Sequence, residues 1–294
     1  MSNKQQRSNH LFFYLLILPT FLIICLLTIY PVIRVISLSF YKYNYISDMN
    51  PTFVGLSNYV KTLKDGLFQK SCTNTLVFCF MATFFEVGLG LVLALIFQQD
   101  FAFKKSFMTI AIFPMMLSTM VICAVWRIMY HYDIGLFNYV LSSLNLSKVG
   151  WLVNPNKALM SVAIVDIWQW TPFCFLLSQA AIASISKNIY EAARIDGAPY
   201  WKIVTKITLP IIKSQLFLLI MLRTIDTFKI YSKIYALTLG GPGNATETLS
   251  YYIYRQGFSY FNMGIASSAS ILTLFIVTII SIVYIKNVMS GDNA

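Results

Sequence analysis

The sequence predicts an all-α polytopic membrane protein with six transmembrane helices, and three observations carry that prediction. Of 294 residues, 57% are hydrophobic and only 11% are charged, whereas a water-soluble chain keeps roughly a quarter of its residues charged. The mean hydropathy is +0.68. Apolar runs long enough to cross hydrocarbon, about 20 residues each, recur along the chain with short polar connections between them. A soluble enzyme is excluded on these grounds, and residues 1–294 read as a single transmembrane domain.

The six spans are placed at about 11–33, 72–97, 107–130, 159–183, 214–236 and 264–285, each bounded by charged or turn-forming residues. The first follows a polar start with Lys4 and Arg7, but no alanine precedes Ala82 to supply a cleavage site, so it reads as a retained anchor. An even number of spans puts both termini on one side. Basic residues at the start, with no acid before Asp48, favour the cytoplasm, as in a bacterial-type plasma membrane protein. The net charge of +11 is scattered through the connections, where it meets anionic lipid headgroups rather than nucleic acid. Pro19 and Pro31, Pro114 and Pro172 predict kinks in the first, third and fourth spans. The cluster Gly240, Gly241, Pro242, Gly243, Asn244 ends the fifth.

Chemistry-bearing residues are sparse. The five cysteines, in or beside apolar segments without a CxxC pair, read as small core hydrophobes. Only His10 and His131 occur, so no metal site and no catalytic residue is expected. The grouping of His131, Tyr132 and Asp133 reads as a loop at a span end; it is the one place a membrane-embedded enzyme could work.

The longest inward-facing loop, 184–213, carries mixed charge. Asn188–Asp196 predicts a helix with Glu191 and Arg194 three apart, and Gly197 permits the left-handed turn that ends it. A second helix starts at Pro199, takes an apolar side from Trp201, Ile203 and Ile207, and stops at Pro210. Ala192 and Ala193 expose little bulk, so the first helix suits insertion into a groove on another protein; a helical hairpin lying on the membrane surface is the alternative.

The segment EAARIDGA, Glu191–Ala198, followed by ITLP, Ile207–Pro210, resembles the EAA loop of ABC-importer permeases. FVGLSNYV (Phe53–Val60), WQWTPF (Trp168–Phe173) and LTLGGPGNATETL (Leu237–Leu249) resemble the carbohydrate-importer branch, in particular its maltose-type or glycerol-phosphate-type first permease. The resemblance implies a type I importer fold whose loop 184–213 holds a cytoplasmic coupling helix, with Glu191, Ala192, Ala193, Asp196, Gly197 and Pro210 serving ATPase coupling. It further implies a second homologous permease, two ATPase subunits that could be identical, and an extracellular solute-binding protein. ATP and magnesium would be bound by the ATPase partners, and indeed no G-x-x-x-x-G-K pattern occurs in this chain.

Ionisable groups inside a membrane are costly, and those singled out in the spans include three acids, Glu86, Asp166 and Asp226, and three bases, Arg223, Lys229 and Lys233. On a regular helix, Arg223, Asp226, Lys229 and Lys233 fall within an arc of about 120°. That face lines a substrate pathway or forms a self-neutralising ladder between two permeases. Asp166, Gln169 and Trp170 share a face of the fourth span, and Trp168 with Trp170 brackets the glutamine. Aromatic faces beside amide and carboxylate groups suit a carbohydrate; packing against lipid or neighbouring helices is the competing role for the tryptophans. Glu86, with Gly88 and Gly90, reads as a mark of close helix packing. A secondary transporter coupled to protons through Asp166, Glu86 or Asp226 stays open on the residues alone.

Overall fold

The computed structural model describes the backbone of residues 3–47, 50–99 and 101–291, and the side chains of those between 17 and 286. Lys4 and Arg7 as side chains, and Asp48 altogether, lie outside the described residues. The chain divides into two compact units, one running to Lys64 and including Ile253–Leu274, the other comprising Asp65–Tyr252 and the residues from Phe275.

In the first unit, α1 (Asn3–Ser39) leads into a short antiparallel pair, β1 (Tyr41–Lys42) and β2 (Thr52–Phe53), and then α2 (Ser57–Lys64). Pro19 and Pro31 lie within α1, which remains helical through both. Asn58, buried on α2, donates from Nδ2 to the carbonyls of Ser39 and Tyr41, at 2.9 Å each, and so fixes the end of α1 against the hairpin. Gly264 packs where a Cβ would meet the Tyr41 carbonyl, and Thr62 and Ser268 share a hydroxyl contact of 2.8 Å.

The second unit holds the rest. α3 (Gly66–Ile96) is capped by Asp65, whose carboxylate accepts from Leu67 N and from Tyr252 Oη. α4 (Lys104–Met116) and α5 (Thr119–Met129) form one bent pair, turned by 98°. Pro114 lies in the last turn of α4, and Leu117 and Ser118 are extended, so the kink expected at Pro114 is a full break. α6 (Leu136–Ser143) follows in a loop organised by buried Asn138. The Asn138 amide donates to the carbonyls of Tyr132 and Val149 and accepts from Val149 N and Trp151 Nε1. α7 (Pro155–Ala183) starts at Asn154, whose side chain caps it, and continues through Pro172 without a break.

Close packing of α3 on α7 is set by Gly90, where a Cβ would stand 2.5 Å from Cys174 Cβ and 2.7 Å from backbone atoms of Cys174 and Phe175. Gly88 faces open space, so of the two expected packing glycines only Gly90 plays that part. Beyond α7 come α8 (Lys187–Ile195), α9 (Tyr200–Ile203), a π-helical stretch (Val204–Thr208), α10 (Leu209–Ile211) and α11 (Lys213–Phe228). The segment 200–211 meets α11 at an angle of 69°, with the bend at Ile212, two residues past the expected stop at Pro210.

The fifth span departs most from expectation. Instead of one helix over 214–236, α11 ends at Phe228, and α12 (Ser232–Leu237) restarts after a break at residues 229–231. The hydroxyls of Ser250 and Thr248 donate to the freed carbonyls of Phe228 and Ile230, at 3.3 and 3.1 Å. That settles backbone acceptors that hydrocarbon would leave unsatisfied. α13 (Leu249–Tyr254), a second π-helical stretch (Arg255–Ser259) and α14 (Met263–Gly291) complete the chain. Among the described residues, four helices are long and apolar enough to span a membrane, and six spans result when each bent pair counts as one.

Candidate functional site

Four buried charged side chains and the exposed Asp226 converge inside the second unit. Arg223 on α11 is 1% exposed, and its Nε donates to Glu86 Oε2 on α3 at 2.7 Å. Its Nη2 lies 3.7 Å from Asp166 Oδ2 on α7, and its Nη1 donates to Asp226 Oδ2 at 3.4 Å. Lys233, at the start of α12, donates to Asp166 Oδ1. The Trp170 ring lies 5.0 Å from the Arg223 guanidinium carbon and 6.0 Å from Lys233 Nζ, within cation–π range. Burying a charge is tolerated only when it is paired and hydrogen-bonded; within this cluster two buried acids meet two buried bases.

The expected polar strip therefore divides. Arg223 and Lys233 are buried, whereas Asp226 and Lys229 are exposed, and the helix that would have aligned all four stops at Phe228. Among the described residues, the Arg223–Asp226 rung of the ladder forms and the rungs to Lys229 and Lys233 do not. Asp166, Trp170, Arg223, Asp226, Lys229, Lys233, Thr119 and Ser232 line a cavity of about 300 Å3 beside the break.

Gln169 and Trp168 stand apart from it. The Gln169 amide donates at 3.3 Å to both the Leu117 carbonyl and the Thr119 hydroxyl, so it ties α7 to the broken third span. Trp168 packs edge-on against Trp126, with ring centroids 5.7 Å apart, in an aromatic group with Tyr130, Phe137 and Trp151. The two tryptophans thus do not bracket Gln169 as one surface. Glu86, read from sequence as a packing mark, is instead a charge partner in the cluster, and Lys233, Thr119 and Ser232 join the cavity as well. The presence of Glu86, Asp166 and Arg223 as ionisable groups inside spans was the available signal.

His131 Nδ1 accepts from the backbone N–H groups of Asp133 and Ile134, and Asp133 pairs with Lys148 at 3.5 Å. These groups organise a loop.

The loop 184–213 places its residues as follows. α8 ends in a Schellman motif: Ala198 N donates to Ala193 O at 2.9 Å, Gly197 N donates to Arg194 O at 3.0 Å, and Gly197 takes φ +72°. Glu191, Ala192, Asp196, Gly197 and Pro210 are exposed, and Ala193 is buried. The Glu191–Arg194 pair expected from the spacing is not formed among the described residues; both side chains are exposed and line a cavity of about 400 Å3 with Gln98, Gln179, Lys187 and Tyr190. Trp201 is 73% exposed, so the buried side of the second helix is formed by Ile203, Val204 and Thr208 rather than Trp201. α8 is anchored by Tyr190, which packs on a core of Ala94, Phe97, Phe175, Ile182, Ile185 and Ile212 and meets the Thr208 hydroxyl at 3.2 Å.

The glycine-rich loop after α12 is held through its main chain. Lys70 Nζ donates to Gly243 O at 3.0 Å, and Asn74 Nδ2 donates to Glu247 O at 2.9 Å. Gly240, at φ +79°, leaves no room for a Cβ beside the Glu247 carboxylate and the Tyr251 ring.

Residues 86–288 match the family described as binding-protein-dependent transport system inner membrane component. The chain is 38% identical to the trehalose/maltose transport system permease protein MalF of Thermococcus litoralis over 93% of its own length and 92% of the relative's. It is 30% identical to the trehalose transport system permease protein SugA of Mycobacterium tuberculosis, covering 93% and 87% of the two chains. A bacterial ABC transporter involved in the import of the acidic polysaccharide alginate shares the fold, with a TM-score of 0.86, 23% identity, and 97% and 98% of the chains covered.

Proposed function

This chain belongs to the family of inner membrane components of binding-protein-dependent transport systems, and from that premise we propose that it forms, with a second permease, the carbohydrate pathway of an ATP-driven importer. It is a multi-pass transport subunit and not an enzyme. The relatives named for trehalose and maltose support the carbohydrate class. The energy source is an ATPase pair that holds ATP and magnesium; an extracellular binding protein delivers the sugar. Both termini and the loop 184–213 face the cytoplasm.

The observation that carries the reading is α8: a short helix with Glu191 and Ala192 exposed, closed by Gly197 and rooted through Tyr190 in the packed ends of α3 and α7. A motor that grips its exposed face moves those spans with it. Glu191, Ala192, Asp196 and Gly197 present the contact, Ala193 seats the helix, and Pro210 belongs to the bend that joins it to α11. Rocking of packed helical bodies then exposes the pathway alternately to each side.

In the pathway, Trp170, Asp226 and Lys229 form the polar wall, Asp166 and Arg223 hold it from behind, and Gln169 and Trp168 support it from the third-span side. Purified chain alone in liposomes is expected to move no sugar, and the full assembly to take it up only with ATP. Uptake that followed a proton gradient and ignored ATP would overturn the reading.

A further inference from the structure

The break in the fifth span has a cation on each side of it. Arg223 lies in the last turns of α11, and Lys233 is the second residue of α12. In an unbroken helix those ten residues would separate the two by about 15 Å along the axis and about 80° around it. Here both meet one carboxylate: Asp166 Oδ1 takes Lys233 Nζ, and Asp166 Oδ2 faces Arg223 Nη2. All three side chains are 2–3% exposed. The residues between the two cations include Asp226 and Lys229, which are exposed, and Ser232, which with them lines the cavity beside the break.

We propose that Asp166 is a positioning residue for transport, a staple that fixes the separation of α11 and α12 so that the 226–232 segment presents its polar groups to the sugar. The inference rests on the permease reading above. Asp166 suits this part better than direct sugar contact because both of its oxygens are engaged by buried cations, whereas Asp226, Lys229 and Ser232 stand at the wall. Glu86 completes the anchor by holding Arg223 Nε from α3, so the α11 side of the break is tied to two other spans and the α12 side is tied through Asp166. The break itself contains neither glycine nor proline between 229 and 231, so its shape depends on these tertiary contacts and on the hydroxyls of Thr248 and Ser250.

The test uses the complete transporter in liposomes, with spin labels introduced as non-natural amino acids at Leu222 and Ala236, on the two sides of the break. Uptake is measured with a panel of radiolabelled disaccharides that includes trehalose and maltose. Asp166→Asn is expected to broaden the distance distribution and raise KM by about tenfold, equivalent to about 1.4 kcal/mol of binding, while Vmax changes far less. Because Asp166→Asn strands two buried cations, the pair Asp166→Asn with Lys233→Met is made alongside it. The pair is expected to assemble and still show the broad distribution and the raised KM. A narrow distribution and wild-type KM in the pair would reduce Asp166 to charge balance and overturn the proposal. A raised KM with an unchanged distance would make it a direct sugar ligand and overturn it as well. If the wild-type assembly moves no sugar in the panel, the permease reading is what suffers; the distance measurement still decides the staple.

Discussion

Glu86 and Arg223, 137 residues apart in the chain, form a 2.7 Å charge-assisted hydrogen bond with both side chains essentially without solvent contact. Removing either partner strands a buried charge, which typically costs about 3–5 kcal/mol, whereas removing both is far milder. Glu86→Gln and Arg223→Met are each expected to lower the thermal midpoint of the detergent-solubilised assembly strongly, and the double substitution to recover most of the loss. Additive losses in the double variant would contradict the ion pair.

Gly90 is expected to tolerate nothing larger. Gly90→Ala drives a methyl into backbone atoms of Cys174 and Phe175, an overpacking that costs about 1–3 kcal/mol. Cys174→Ala should not rescue it, since the obstructing atoms are main chain and the Cys174 Cβ, which alanine keeps. Gly88→Ala, which meets nothing within 4 Å, should be neutral or gain up to about 1 kcal/mol from helix propensity. Thermal unfolding of the three variants checks the contrast.

On α8, neighbouring alanines should fail in different ways. Ala192→Trp adds bulk to an exposed face and is expected to leave the chain folded while abolishing ATP-driven uptake and co-purification of the ATPase. Ala193→Trp, at a buried position, should instead reduce the folded yield. Gly197→Ala forces a side chain into the left-handed region, at about 1–2 kcal/mol, and should loosen α8 with partial loss of uptake. Equal behaviour of the two alanine variants would count against a docking face.

Gly240→Ala is expected to displace either the Glu247 carboxylate or the Tyr251 ring, both packed against the α-carbon. The readout is a fall in the yield of assembled transporter, with Gly243→Ala as a comparison in which strain at φ +55° acts without any collision.

The membrane class and the spans were legible because run length and charge depletion are local properties. The third-span break was legible only as a kink at Pro114, and the same signal at Pro19, Pro31 and Pro172 accompanies helices that continue unbroken. The fifth-span break was not: residues 229–231 are Lys, Ile and Tyr, which read as ordinary helix, and what interrupts it comes from afar, through Asp166 on α7 and the hydroxyls of Thr248 and Ser250. The same cause explains the misplaced strip. Helical projection put Lys229 and Lys233 on the face of Arg223, and projection holds only while the helix does. Charge counting went further, since it had already grouped Glu86 with Arg223 and Lys233. Trp168 and Gln169 show the opposite limit: they neighbour each other in sequence, yet adjacent residues on a helix point in different directions, one to an aromatic group and the other to the broken third span.

The π-helical turn at Val204–Thr208 acts as a phase corrector. Such a turn holds one residue more than an α-helical turn would need, and here it immediately precedes Pro210, whose ring would otherwise press on the preceding turn. The wide turn absorbs that residue without changing the phase on either side, whereas a further inserted residue would rotate everything upstream by about 100° relative to α11. Tyr190 would then lose its Thr208 contact, and the exposed face of α8 would be turned away from the ATPase proposed to grip it. Insertions at this point are therefore expected to uncouple the transporter even where every residue of the EAARIDG segment is intact.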